Sequence, residues 1–305
     1  MRWRTADDGA PALFGIDELF VPDLGTGRMS DLEFHHVTAK RILNHVPSGS
    51  RAPSNWTINV YRGCSHACEF CFARPTHEYL GFNLGEDFNR EIVVKINAVE
   101  KLRAELAEPS WRGESVAMGT NTDPYQRAEA KYRLTRGVLE ALAEHANPFS
   151  ILTKSPLVTR DLDVLQRAAA TTTISVNFSL GTLDQRVWRA TEPGAPNPRR
   201  RVEAMAKLSA AGIRTGALVA PVLPGMSDRP EQLREVVAAI TAAGGRFLGF
   251  GPLHLRPGVR EHFLGWLART DPDLHADYLR RYATSDYAPK RYLDDLYRRA
   301  GLTRP

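Results

Sequence analysis

The chain has 305 residues, 43% of them hydrophobic and 25% charged, with a formal net charge of +5 from 40 basic and 35 acidic side chains. This length and apolar fraction allow one substantial core, as a single α/β barrel or two modest domains, and the mild mixed charge permits a polyanionic partner without requiring one. No window approaches the roughly 18 uncharged apolar residues of a membrane span, and no apolar run backs the N-terminal charges, so the expectation is a soluble cytoplasmic protein with no membrane partner.

Residues 1–55 are rich in Gly, Pro and Asp and read as an N-terminal extension, with a short helix expected around 32–43. From residue 56 the pattern alternates. Short β-rich runs occur at 57–63, 115–120, 149–154, 172–180, 213–221 and 246–252. Between them lie stretches with helical spacing at 91–106, 134–145, 159–170, 199–212 and 229–245. Thr159 with Asp161 is expected to open one helix, Gly212 to close another, and Ser227-Asp228 before Pro230 to cap a third. Two or three helical segments follow to the C-terminus. Six strands, each followed by a helix, predict a parallel sheet, doubly wound or closed into a partial barrel; in either, chemistry gathers at the C-terminal ends of the strands.

All the cysteine in the chain, Cys64, Cys68 and Cys71, falls within eight residues, in RGCSHACEFCFAR directly after the first of these strands. An odd number of closely spaced thiols makes a poor disulfide framework and in a reducing compartment points to metal or redox chemistry. A tetrahedral zinc site needs a fourth ligand, for which His66 and His77 are the candidates; that reading gives a zinc-stabilised nucleic-acid-binding module. A [4Fe–4S] cluster held by three cysteines leaves one iron without a protein ligand, a place for chemistry. A thiol-redox protein needs no metal at all.

The spacing Cys64-x3-Cys68-x2-Cys71, with aromatic Phe70 before the last cysteine, resembles the CxxxCxΦC signature of the radical S-adenosylmethionine (SAM) superfamily. Further blocks, GTNTDPYQRAEAKYRLTR, ILTKSPLVTRDLD, FSLGTLD, EPGAPNPRRRVEAMAKLSAAGI and APVLPG, are similar to its spore photolyase-like branch, and most of all to an actinobacterial subgroup; together they cover residues 56–251. The resemblance implies an α/β fold, a partial (β/α)6 TIM-like barrel over residues 56–255, with 1–55 as extension and 256–305 as a C-terminal helical segment. It implies a [4Fe–4S] cluster on the three cysteines and SAM chelated by the open iron. It also implies reductive cleavage to a 5′-deoxyadenosyl radical that abstracts hydrogen, an electron donor of flavodoxin or ferredoxin type, and a nucleic acid as substrate.

By the same resemblance, Phe70, flanking Cys71 with Phe72, lies beside the adenine of SAM. Thr122, with Asp123 adjacent, offers a hydroxyl contact at the end of the second strand. Lys154 meets the SAM carboxylate at the end of the third. Ser179, with Asn177 one alternation away on the same face, ends the fourth strand. Arg201 falls near the SAM carboxylate, in the block that holds Glu192. Three arginines at 199–201 open a helix, where acids are normally preferred, and that local inconsistency points to function. Spore photolyase returns a hydrogen atom through a cysteine whose matching position falls near Thr120. The cluster exhausts the cysteines here, so that donor and any cysteine-bound auxiliary cluster are excluded, and Tyr125 is the candidate donor in its place. His254 and Arg256 are expected at the substrate pocket.

Overall fold

The computed structural model describes residues 21–24, 29–47 and 54–304; most of the expected N-terminal extension, 1–20, 25–28 and 48–53, lies outside the described residues. The chain divides into two compact units, one of residues 1–65, 76–153 and 160–175, the other of 66–75, 154–159 and 176–305.

The first unit contains two sheets. Strands β1 (Val21–Leu24), β2 (Glu33–Val37), β3 (Asn44–His45), β4 (Trp56–Ile58) and β5 (Tyr61–Arg62) precede a 3-10 helix at Arg74–Leu80, helix α1 (Glu86–Arg90), strand β6 (Glu91–Lys95) and helix α2 (Ala98–Leu106). The smaller sheet has the order β1-β2-β6-β5, with β2 and β6 parallel and the two outer pairs antiparallel. The larger ladder of this unit joins β3 to β4, β4 to β7 (Val116–Met118) and β7 to β8 (Phe149–Thr153), the last two pairs parallel. Helices α3 (Arg127–Tyr132), α4 (Leu134–Glu144) and α5 (Leu162–Thr171) complete it. Ile58, Val116, Met118 and Ile151 are buried beneath an apolar layer that includes Val138, Leu142, Val164 and Leu165. Each such side chain contributes about 1.5–3 kcal/mol on burial.

Two local expectations fail here. The segment at 32–43 holds strand β2 rather than a helix, and residues 91–95 form β6, with α2 starting only at Ala98. Ile92-Val93-Val94 is a β-branched run buried on both faces between β2 and β5, which a strand accommodates better than a helix. The run expected as one strand at 57–63 is divided: β4 pairs in the larger ladder and β5 in the smaller sheet.

In the second unit β9 (Ile174–Ser179), β10 (Thr215–Val222) and β11 (Arg246–Pro252) run parallel. They alternate with helices α6 (Gln185–Thr191), α7 (Pro198–Ala210) and α8 (Pro230–Ala242). Helix α7 opens as its sequence dictates, with Asn197 accepting from Arg199 N and Pro198 in the first turn. Three C-terminal helices follow, α9 (Val259–Thr270), α10 (Pro272–Arg281) and α11 (Lys290–Ala300). Phe263, Trp266 and Leu267 of α9 and Tyr278 of α10 share one apolar cluster with Cys68 and Phe70. Among the described residues no helix is long and apolar enough to cross a membrane.

Candidate functional site

The cysteine loop is fixed first by backbone geometry. Gly63 takes φ +75°, and a Cβ there would stand 2.8 Å from the Glu91 carbonyl, so only glycine turns the chain into Cys64. Cys64 N donates to Phe88 O at 2.8 Å. The Gly63 carbonyl accepts from Thr122 Oγ1 at 2.6 Å and from Gln126 Nε2 at 3.0 Å, while Ser65 N donates to Gln126 Oε1 at 2.9 Å. Gln126, fully buried, thus clasps the backbone on both sides of Cys64. Sequence reasoning passed over it; the signal available was an amide side chain just beyond GTNTDPY.

Within the second unit, Cys71 N donates to Cys68 O at 3.2 Å, and the buried Arg74 donates through Nε to the same carbonyl at 3.0 Å. Gly194 N donates to His66 O at 3.1 Å and Glu69 N to Thr191 O at 3.0 Å. Cys64 and Cys68 are buried, Cys71 half-buried, and none of the three is in a disulfide. Burial pushes the Cys71 thiol up, opposed by the Ala73 backbone and by the charges of Arg74, Lys154 and Arg256. The Arg256 Nε is itself buried without a hydrogen-bond partner among the described residues. An all-sulfur donor set with cations around it fits an anionic iron–sulfur group. His77, the alternative fourth ligand for zinc, is committed to packing: its ring stacks on Phe82 at 5.0 Å and meets Phe88 edge-on, and burial lowers it to about 4.

Four of the predicted SAM-contact residues converge in the second unit. Lys154 Nζ donates to Ser179 Oγ at 3.0 Å and to Glu192 Oε1 at 2.7 Å, and sits 5.3 Å over the Phe70 ring. Ser179 Oγ in turn donates to Ala220 O at 2.8 Å. Arg201, with no exposed surface, donates to Glu192 Oε2, to Pro196 O and to Ser179 O. Burial alone would raise the Glu192 carboxyl; Arg201 and Lys154 outweigh it and hold the group down at about 2. Asn177 is half-buried on β9, with its Oδ1 against Gly216, where an added Cβ would come within 3.1 Å. Phe72 is 49% exposed, unlike Phe70 at 8%. His254 stacks on Tyr287 at 3.9 Å.

The remaining predicted residues gather in the first unit. Thr122 spends its hydroxyl hydrogen on Gly63 O, so it acts on the cysteine loop's backbone. Asp123 Oδ1 accepts from Tyr125 N at 2.8 Å and from Thr153 Oγ1 at 2.6 Å. Tyr125 is buried, and its hydroxyl donates to Asp161 Oδ2 at 3.1 Å. Asp161 also pairs with Arg136 and Arg160, and Arg160 continues to Glu129, which accepts from Tyr61. This is a buried charge network that holds α3, α4 and the start of α5 together.

Residues 58–237 match the family model of the radical SAM superfamily. A protein of Mycobacterium tuberculosis, described only as uncharacterized, is 44% identical over 323 residues, covering 100% of this chain and 95% of its own length. The radical SAM Nalpha-GlyT isomerase of Pseudomonas phage M6 is 27% identical over 182 residues, 59% of this chain and 35% of its own. Among solved structures, spore photoproduct lyase complexed with a dinucleoside spore photoproduct superposes with a TM-score of 0.57 at 16% identity, over 85% of this chain and 69% of that one. A cysteine-to-alanine mutant of that lyase gives the same TM-score over 78% of this chain and 66% of its own, just under two thirds of its length. That likeness is one of fold: parallel strands and helices in the arrangement of the radical SAM partial barrel. The chain belongs to the radical SAM superfamily of enzymes.

Proposed function

We propose that this enzyme holds a [4Fe–4S] cluster on Cys64, Cys68 and Cys71, binds SAM at the iron they leave open, and acts on a nucleic acid. When bound, the cluster and SAM supply reductive cleavage of SAM and hydrogen abstraction from the substrate. The observation that carries this reading is the set of three thiols outside any disulfide within one short segment, with Phe70 next to Cys71 and the charges of Arg74, Lys154 and Arg256 acting on Cys71.

The protein's own part is to hold and orient. Gln126 and Thr122 fix the loop backbone beside Cys64. Lys154 offers its charge to the SAM carboxylate, and Arg201 acts at one remove, through the Glu192 that Lys154 also touches. Phe70 presents its face to the adenine, supported by the cluster of residues from α9 and α10. Asn177 and Ser179 lie at the end of β9, where the ribose hydroxyls would be met. Residues 56–255 carry the chemistry and 256–305 back it. The substrate class rests on the fold shared with spore photoproduct lyase and on the net charge of +5. The electron donor is of flavodoxin or ferredoxin type and the location cytoplasmic.

The experiment is direct. Protein purified without oxygen is expected to be brown, to absorb broadly near 400 nm, and to release 5′-deoxyadenosine when given SAM and dithionite. Colourless protein carrying one zinc, with no nucleoside released, would refute the reading.

A further inference from the structure

Within the first unit lies a cavity of about 390 Å³. Its walls include Asn59, Arg62, Thr76, Lys95, Thr120 and Asn121. Two observations single it out. Lys95, at the end of β6, is only 4% exposed, lines the cavity, and its ammonium has no hydrogen-bond or ion-pair partner among the described residues. Arg62, on the neighbouring β5, lines the same space, so two cations of one sign share it. The nearest opposing charge belongs to Glu105, and both of its oxygens already accept from Ile42 N and Leu43 N. The ammonium opens only onto this cavity, where a charge cut off from bulk water is costly unless water or an anion meets it.

The rest of the wall is chosen for polar contact. Asn59 Nδ2 reaches Thr120 Oγ1 and Asn121 Nδ2 reaches Thr76 Oγ1, each at 3.5 Å, the outer limit of a hydrogen bond. Asn59 Oδ1 also accepts from Asn121 N at 3.2 Å, so the amides and hydroxyls form one polar wall whose long side-chain bonds a ligand can replace. Tyr79 stands at the rim, 82% exposed.

We propose that this cavity binds a phosphate-bearing ligand, its anionic oxygens held between the Lys95 ammonium and the Arg62 guanidinium and its body against the amides and hydroxyls of Asn59, Thr76, Thr120 and Asn121. A phosphate presents three acceptor oxygens to match one point charge, one planar fork and the hydroxyl donors, where a carboxylate presents two. The volume exceeds that of a lone anion and leaves room for a sugar-sized body. Burial, then the Arg62 charge, pushes the Lys95 ammonium down to about 7, with Glu105 opposing, so an arriving anion also restores a charge that the empty cavity disfavours. Thr120 is also the position that the family resemblance matches to a hydrogen-donor cysteine, but the proposal rests on Lys95 and Arg62 and its test needs neither cluster nor SAM, so its failure would be distinguishable from failure of the reading above.

The test is calorimetric titration of inorganic phosphate into the full-length protein, at fixed ionic strength in chloride. The wild type is expected to bind. Lys95→Met is expected to weaken binding by about tenfold or more and Thr76→Val by about threefold, the usual scale for losing a charged and a neutral hydrogen bond. Ribose 5-phosphate and a short single-stranded oligonucleotide then distinguish a free phosphorylated molecule from a strand phosphate: whichever binds with the same dependence on Lys95 is the source. Circular dichroism establishes that each variant folds; if Lys95→Met does not, Thr76→Val decides. Wild-type protein that takes up no phosphate, or folded variants that bind it as tightly as the wild type, would overturn the proposal.

Discussion

Lys154 donates to Glu192, the residue that closes α6, across 2.7 Å, and Arg201 grips the other oxygen of the same carboxylate. All three groups are largely or wholly buried, so the carboxylate is what makes two interior cations tolerable. Glu192→Gln is therefore expected to destabilise the protein at pH 7 by roughly 3 kcal/mol. The sign follows from the lowered carboxyl: its contribution is complete above the ordinary carboxylate pKa of 4.5 and is lost as pH falls towards about 2. Urea unfolding at pH 7 and pH 3 measures it, and the gap between wild type and variant should narrow at the lower pH.

Gln126→Ala removes the amide that clasps Gly63 and Ser65. The buried Ser65 N–H loses its acceptor, at a cost of about 1–3 kcal/mol, while Gly63 O keeps the Thr122 hydroxyl. The cluster is expected to bleach faster in air, readable as loss of absorbance near 400 nm over time, with iron content after anaerobic reconstitution close to wild type. Equal bleaching rates would remove Gln126 from the account of the loop.

Lys95 carries the opposite linkage. Its ammonium is lowered when folded to about 7 from 10.5, so the unfolded chain binds more protons between those values and stability rises with pH across that window. Lys95→Met should be more stable than wild type at pH 6.5, by roughly 2–5 kcal/mol, and the advantage should shrink by pH 9.5. Thermal melts at the two pH values check it.

Tyr125→Phe discriminates two roles for one hydroxyl. The geometry commits it to Asp161, whose other partners are Arg136 and Arg160. The expected result is a loss of about 1 kcal/mol in stability with 5′-deoxyadenosine release within about twofold of wild type. A collapse of substrate turnover with unimpaired SAM cleavage would restore Tyr125 as a hydrogen donor.

Much of this was legible from the sequence for identifiable reasons. Five of the six expected strands, at 115–120, 149–154, 172–180, 213–221 and 246–252, are short β-rich runs whose local pattern located β7 to β11; the run at 57–63 divides between two sheets. Lys154, Ser179 and Arg201, which the family resemblance singles out, lie in one hydrogen-bonded group: Lys154 touches Ser179 and Glu192, and Arg201 touches Glu192 and the Ser179 carbonyl. What stayed hidden depends on distant partners. Residues 91–95 carry a helical period, yet β2 and β5 on either side make them a strand. Nothing local to Thr122 shows that its hydroxyl turns to Gly63, 59 residues earlier. Gln126 bonds 61 residues back, and the pairing of Lys95 with Arg62 around a cavity arises only when β5 and β6 lie side by side.

The most direct measurement is electron paramagnetic resonance of the dithionite-reduced protein before and after SAM is added. Three cysteines at a four-iron cluster predict a [4Fe–4S]⁺ signal whose g-values shift when SAM occupies the open iron. In Cys71→Ala both signal and shift should be lost. A signal indifferent to SAM, or one that survives replacement of Cys71, would contradict the account.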